Sequence, residues 1–154
     1  MPDHREGSRD RKMNRARQLS AAIFIVALLV RLLPLGLYVT PDEPIWVLRS
    51  LQFLEALKAG DPGRMPQTGH PGVTTMALGA LGAWLTTAVD PSGAAIHADW
   101  VLRVAVLAPE NGAAFPHLAY FLPWARVVVA VTVSAGVVLA YRIGRRRLDE
   151  RVAR

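Results

Sequence analysis

The sequence contains no cysteine and relatively few acidic residues, and both shortages limit what the protein can be. Without cysteine there is no disulfide framework, no thiolate metal site and no thiol nucleophile. The 12 Asp and Glu residues are outnumbered by 18 Lys and Arg, giving a formal net charge of +6. Because the basic residues gather at the two chain ends and not along an aromatic-bearing face, the charge does not indicate nucleic-acid binding. Phosphate-cradling glycine loops, serine elbows and zinc-ligand spacings are also missing.

Apolar residues are abundant, at 52% of the 154 positions, which exceeds what a modest soluble domain buries. They concentrate in residues 19–39, 71–89 and 125–143. The first of these stretches is long enough, at about 1.5 Å per residue, to cross a hydrocarbon core of about 30 Å. It is longer than the apolar region of a signal peptide, and no small-residue cleavage site follows it. The chain is therefore predicted to be an integral membrane protein.

The distribution of charge predicts the topology. Six Lys and Arg residues precede Leu19 and six follow Tyr141, whereas residues 40–124 hold four against seven acidic residues. The positive-inside rule then places both ends in the cytoplasm, which requires an even number of crossings. The stretch 71–89, with three glycines and four threonines, is the weakest span, and we expect it to lie at the outer interface or to dip into the bundle. A third crossing there stays an alternative.

The expected architecture is an all-α membrane protein of the plasma (inner) membrane. Within the first span, Pro34 is expected to kink the last turns. Arg31, a costly residue in lipid, is expected to face a polar partner or to reach the outer interface. The predicted segments are a disordered basic cytoplasmic arm (1–18), a transmembrane helix (19–39), an extracytoplasmic loop (40–124) with interfacial helices (44–59 and 71–89), a second transmembrane helix (125–143) and a basic cytoplasmic tail (144–154).

A rigid acidic corner follows the first predicted span. Pro41 disfavours a helical conformation at Thr40, and Pro44 suits the first turn of a helix that ends before Gly60. Asp42 and Glu43 between them can accept a proton or hold a hard divalent cation through oxygen. The alternative on spacing alone is a pair of acids that cap the helix.

Several short motifs occur in an order that resembles a known family. They are a basic N-terminus, a membrane helix, Thr40-Pro41-Asp42-Glu43-Pro44 with Trp46 and Arg49, Gly60-Asp61, Gln67-Thr68-Gly69-His70-Pro71-Gly72, and Arg126 opening a helix that closes in Tyr141 and Arg145-Arg146-Arg147-Leu148. This order resembles the N-terminal part of polytopic glycosyltransferases of the GT-C class, near glycosyltransferase family 39 and the protein O-mannosyltransferase and aminoarabinose transferase groups.

The resemblance implies transfer of a sugar from a polyprenyl-phosphate carrier to an acceptor on the outer membrane face. Asp42 would be the catalytic base and Glu43 its supporting residue, with a divalent metal ion between them as an option. His70 and Arg126 would contact the donor phosphate or the substrate. A lone histidine is otherwise more often a hydrogen-bonded loop residue. Gly72 stands where the related groups have a second proline.

The family chains continue through many further membrane helices. The resemblance therefore implies an N-terminal portion, incomplete and inactive alone, whose partners are the lipid bilayer, a lipid-linked sugar and the remaining helices of a split enzyme. The competing hypothesis is a small non-enzymatic membrane protein that binds a partner through its external helices. A transporter fragment is a third class. The DNA downstream of codon 154 distinguishes them. The enzyme predicts a continuing apolar frame or a neighbouring polytopic gene there, and the non-enzymatic protein predicts neither. A transporter fragment predicts downstream segments with inverted-repeat symmetry and broken helices.

Overall fold

The structure, a computed structural model, describes residues 4–36, 39–66, 72–103 and 112–152, and regular structure in these ranges is entirely helical. The all-α class is therefore confirmed for this part of the chain. The elements are α1 (His4–Leu32), α2 (Glu43–Ala59), a short 3₁₀-helix (Pro62–Arg64), α3 (Val73–Val89), α4 (Pro91–Arg103), α5 (Ala114–Ala119) and α6 (Leu122–Val152).

Helix α1 differs from the prediction at both ends. It begins at His4, so the segment expected to be a disordered arm is helical from that residue. It ends at Leu32, because Pro34 disfavours a helical conformation at the residue before it and offers no amide hydrogen. The chain therefore turns at Pro34 instead of continuing as a kinked helix. The helical part of the predicted span, from residue 19 to Leu32, is shorter than the roughly 20 residues that a crossing requires.

Arg31 consequently lies in the last turn of α1 and not near the centre of a span. Its Nη1 donates a hydrogen bond to the carbonyl oxygen of Ala27 at 2.8 Å. A cation at this end of a helix also interacts favourably with the helix dipole.

Helix α6 contains the one segment of the described chain that is long and apolar enough to cross a membrane, Leu122–Leu148. It includes the whole of the predicted span 125–143 and extends beyond both of its ends. The prediction of two transmembrane helices is thus met in part, because α1 has 29 residues but its described part contains no stretch apolar enough and poor enough in charge to qualify as a second span.

The chain forms two compact units. The first consists of Met1–Leu33 and Ala130–Arg154, so it contains α1 and most of α6. Within it, the Nε of Arg142 donates to the Oγ of the buried Ser20 at 3.2 Å. The second unit is Pro34–Val129 and contains α2 to α5 with the start of α6. Its buried core consists of Val47, Leu48, Leu51, Ala83, Ala94, Val101, Ala114, Leu118, Phe121 and Leu122.

The helix predicted over 44–59 is present as α2, one residue longer at its start. It ends at Gly60, whose φ of 64° is the left-handed conformation that a glycine adopts without steric cost. Val47 and Leu51, four residues apart on one face of the helix, are buried. Helix α3 likewise corresponds to the predicted helix 71–89 and packs against α2. The surface orientation expected for both helices stays a prediction.

Helices α4 and α5 were not predicted. Helix α4 begins at Pro91, directly after Asp90, whose Oδ1 accepts hydrogen bonds from the backbone amide of Gly93 and the hydroxyl of Ser92, both at 3.0 Å. An acidic residue followed by proline is a recognised helix start. Both helices contribute to the core of the second unit.

Candidate functional site

The acidic corner lies at the start of α2, in the second unit. Asp42 directly precedes the helix, and its side chain is exposed. It makes no side-chain hydrogen bond to the amides of the first turn. Asp42 therefore does not act as the capping acid that spacing alone suggested.

Glu43, the first residue of α2, is held from two directions. Arg126 donates from Nε to Oε1 at 2.7 Å and from Nη2 to Oε2 at 2.6 Å, which is the two-pronged arrangement of a strong guanidinium–carboxylate pair. The backbone amide of Thr40 donates to Oε2 at 2.7 Å. Thr40 precedes Asp42, the N-cap residue of α2, so this bond fixes the turn before the helix.

Arg126 connects three parts of the second unit. Besides Glu43 it contacts the carbonyl oxygen of Leu35, to which Nη1 donates. The guanidinium therefore joins the turn after α1, the acidic corner and the beginning of α6. Only 16% of the Arg126 side chain and 17% of the Glu43 side chain is exposed, so water screens this pair weakly.

The environment of Glu43 sets its protonation. Burial raises the pKa of this carboxyl, but the hydrogen bonds from Arg126 and from the Thr40 amide, together with the positive charge of Arg126, outweigh burial and leave the pKa below its ordinary value. Glu43 is therefore ionised at neutral pH and is a weak proton acceptor. Of the two acids, Asp42 is the one whose carboxylate is accessible to a reactant.

The metal option does not fit the described residues. A divalent cation shared by Asp42 and Glu43 would have to displace Arg126, since both oxygens of Glu43 already accept hydrogen bonds. In the ranges that the structure describes, no three His, Asp or Glu side chains converge in a way that could hold a metal ion. We derive no chemistry through a metal at this corner.

The four predicted site residues have different outcomes. Glu43 and Arg126 are brought into direct contact, and Asp42 is adjacent to them in the chain. The predicted contact of Arg126 with a donor phosphate stays a prediction, since the guanidinium is engaged with protein oxygens here. His70 lies outside the described residues, so its predicted role also stays a prediction.

A second polar and aromatic cluster joins α4, α5 and Asp90, and the sequence reasoning missed it. The hydroxyl of Tyr120 donates to Oδ2 of Asp90. The Nδ1 atoms of His97 and His117 are 3.0 Å apart, at hydrogen-bonding distance. The ring of Tyr120 stacks on His97, and Trp100 stacks on His117, with centroid separations of 4.1 and 4.2 Å.

The hydrogen bond between Asp90 and Tyr120 alters both groups. It lowers the pKa of Asp90, with help from the Gly93 amide and Ser92, and it raises the pKa of Tyr120. One sequence signal could have indicated this cluster: His97 and Trp100 are three residues apart, as are His117 and Tyr120, a spacing that places two side chains on one helix face. Asp90, His97, Trp100, His117 and Tyr120 are each half-buried, and they are remote in sequence from the acidic corner.

Comparison with known proteins adds no further assignment: no protein-family model matches the chain, and neither a curated protein nor a solved structure matches it. Any function assigned to the chain therefore depends on the residues described above and on the order of its motifs.

Proposed function

We propose that this chain is the N-terminal portion of a GT-C class membrane glycosyltransferase that transfers a sugar from a polyprenyl-phosphate donor to an acceptor. The observation that carries the proposal is the acidic corner, where Asp42 is exposed while its neighbour Glu43 is fixed by Arg126. A catalytic base must be both accessible and held in place. This arrangement provides both properties in consecutive residues.

The two acids then have different roles. Asp42 accepts the proton of the acceptor hydroxyl as its oxygen attacks the anomeric carbon. The bond between that carbon and the carrier phosphate breaks, and its electron pair leaves with the phosphate. Glu43 and Arg126 are positioning residues, because their bond fixes the backbone from which Asp42 projects. The low pKa of Glu43 is consistent with this division, since it keeps Glu43 ionised and paired.

The proposal includes a membrane arrangement. We place α6 across the plasma (inner) membrane, pair it with the apolar part of α1, and put both basic ends in the cytoplasm. Helices α2 and α3 then lie on the outer side, where lipid-linked sugars are used by the related enzymes. The apolar residues that α1 exposes, among them Ile25, Val26, Leu29 and Val30, support its contact with lipid. Further membrane helices from a partner or a longer chain would hold the carrier.

The decisive experiment compares Asp42→Asn with the wild type. The chain is expressed from its own locus with the downstream reading frames intact, and membranes receive radiolabelled polyprenyl-phosphate mannose or polyprenyl-phosphate aminoarabinose. We expect Asp42→Asn to reduce transfer by about 10² to 10⁴ while the abundance of the protein is unchanged. Asp99→Asn, a matched change at an exposed acid of α4, should leave transfer intact. A parallel fall in abundance and transfer would show that Asp42 is structural.

A second candidate, a non-enzymatic membrane protein that binds a partner through its external helices, is favoured by one feature of α3. The exposed side of this helix is apolar, with Val73, Leu81 and Trp84 each more than 45% exposed. Under this alternative Asp42→Asn changes nothing, whereas Leu81→Asn with Trp84→Asn abolishes co-purification of a partner. Under the enzyme proposal, Asp42→Asn has a larger effect on sugar transfer than the double change on α3.

A further inference from the structure

The first unit carries an accumulation of positive charge that the proposed function does not use. Five arginines with exposed side chains contribute to it: Arg15, Arg17, Arg142, Arg146 and Arg147. We call them the basic cluster. The chain has no acidic residue from position 11 to 41 or from 111 to 148. The parts of α1 and α6 that carry the cluster therefore contain no carboxylate to neutralise it. Asp149 and Glu150, which follow it, only partly offset the charge, because residues 142–151 hold five arginines.

A contact inside the first unit brings the two halves of the cluster together. Arg142 of α6 donates from Nε to the Oγ of Ser20 in α1 at 3.2 Å, and this hydroxyl in turn donates to the carbonyl oxygen of Ala16. Ser20 is three residues from Arg17, and Arg142 is four residues from Arg146. The basic residues of both helices therefore lie at the same end of the unit.

The cluster is available for an external anion. Ion pairs among the described residues join Lys58 to Glu55, Arg103 to Asp99 and Arg126 to Glu43, and none of them includes a residue of the cluster. Arginine is suited to phosphate, since its guanidinium offers several donors in one plane. The complementary ligand is therefore a phosphate-bearing surface.

Apolar side chains next to the cluster identify which phosphate-bearing surface fits. Leu19 on α1 and Ile143 and Leu148 on α6 are each about half exposed or more, at 47%, 52% and 63%. Leu19 is four residues from Arg15, and Ile143 is three and four residues from Arg146 and Arg147, spacings that place side chains on one face of a helix. A surface on which exposed leucine and isoleucine alternate with arginine matches a phospholipid, which presents acyl chain and phosphate together, better than it matches a nucleic acid or a free anion.

We propose that the basic cluster is a binding surface for the headgroups of anionic phospholipids. Each arginine close to an anionic membrane surface contributes about a fivefold preference. Arg142, Arg146 and Arg147 lie in the last two turns of Leu122–Leu148, the segment of α6 that can span a membrane. It would hold a shell of anionic lipid around that end of the first unit. This inference does not depend on the catalytic proposal, because it uses no residue of the acidic corner.

The test measures lipid selectivity directly. The full-length protein is reconstituted into phosphatidylcholine vesicles, and electron paramagnetic resonance gives the relative association of spin-labelled phosphatidylglycerol and spin-labelled phosphatidylcholine. The wild type should prefer phosphatidylglycerol by about fivefold or more. Arg146→Gln with Arg147→Gln should remove most of this preference, and Arg146→Lys with Arg147→Lys should keep it. Because the vesicles are symmetric, a change in protein orientation does not alter the result.

The matched control is Arg64→Gln with Arg103→Gln, which removes the same charge from exposed arginines of the second unit. It should leave the preference unchanged. An equal loss in the control pair, or no preference in the wild type, would overturn the proposal. If the cluster variants lose helix by circular dichroism, salt decides: at 1 M salt, where the Debye length is about 3 Å, the wild-type preference should largely disappear. A preference that persists at high salt would also overturn it.

Discussion

At the scale of single residues, Glu43 and Arg126 form an ion pair between two opposite charges whose side chains are largely buried. Moving either charge out of water is unfavourable, and their attraction offsets this only when the geometry is good. Here both carboxylate oxygens and three guanidinium nitrogens have partners. The pair is therefore satisfied as long as both members are present, and removing one member leaves the other without its partner.

Removing Arg126 should consequently be costly. We expect Arg126→Met to reduce the free energy of unfolding by about 2 to 4 kcal/mol, because Glu43 would remain partly buried without a counter-charge. Denaturant unfolding in detergent micelles measures this change. Lys58→Met is the control, since Lys58 pairs with Glu55 at an exposed site and such pairs contribute about 0 to 1 kcal/mol. The double variant Glu43→Gln with Arg126→Met should cost less than the two single changes added together. Equal effects of Arg126→Met and Lys58→Met would contradict the assignment.

The lowered pKa of Glu43 predicts how stability depends on pH. Because the folded-state pKa lies below the ordinary value of 4.5, the ionised form is favoured by folding. The stabilisation that ionised Glu43 contributes is complete above about pH 4.5 and is lost as the pH falls through the folded-state pKa. Unfolding curves recorded from pH 6 downward should show a decrease in stability below about pH 4.5 that is smaller in Glu43→Gln. The same slope in both proteins would show that other acids are responsible.

The sequence predicted which residues form the acidic corner, but it did not predict which of their side chains contact one another. Neighbouring Asp42 and Glu43 follow from the chain order, and the flanking prolines indicate a fixed turn. That Glu43 and not Asp42 accepts a hydrogen bond from the amide of Thr40 is decided by side-chain geometry, which the sequence does not specify. The partner of Glu43 lies 83 residues away, and no local pattern indicates such a pairing.

At the scale of helices, boundaries were predictable where proline or glycine fixes the backbone. Pro44 and Gly60 delimit α2 almost as expected, for the reasons that make them start and stop signals. The end of α1 was predicted wrongly, because Pro34 was expected to kink the helix, whereas the helix ends two residues before this proline. Helix α4 was missed although Asp90 and Pro91 form the same kind of start signal.

Two glycines of α3 permit its close packing, and they provide a test of that packing. A Cβ on Gly82 would meet the backbone nitrogen of Ala125 at 2.6 Å, and backbone cannot easily move aside. A Cβ on Gly79 would meet the side chain of Ser50, with its Cβ at 2.8 Å. Small residues such as glycine allow the backbones of two helices to approach each other closely.

We therefore expect Gly82→Ala to destabilise the second unit by about 1 to 3 kcal/mol, the usual range for overpacking. Gly79→Ala should be destabilising too, but Ser50→Gly should restore part of the loss. Gly136→Ala is the control: no atom lies within 4 Å of its added Cβ, and alanine favours a helix by about 1 kcal/mol over glycine. Thermal unfolding followed by circular dichroism measures the stability of each of these variants. A Gly82→Ala protein as stable as Gly136→Ala would rule out the close approach of α3 to α6.

At the scale of the whole molecule, the expected topology comes from charge asymmetry and is testable because the chain has no cysteine. Single cysteines at Ser8, Arg64 and Arg151 should react with an impermeant thiol reagent from the inside, the outside and the inside, respectively. Intact cells compared with permeabilised cells distinguish the two sides. Labelling of Arg151→Cys in intact cells would exclude two crossings with both ends in the cytoplasm.

The ion pair between Glu43 and Arg126 also has a consequence for the order in which the protein is assembled. During synthesis Arg126 leaves the ribosome 83 residues after Glu43, so the ion pair cannot form until that length of chain has been made. Closing a loop of this length costs about 4 kcal/mol of chain entropy, comparable with the loss expected when one member of a buried pair is removed. Packing of α2 against α3 shortens this loop, so we expect the pair to form after these helices have packed. A nascent chain that stops before residue 126 lacks the partner of Glu43 and cannot complete the acidic corner.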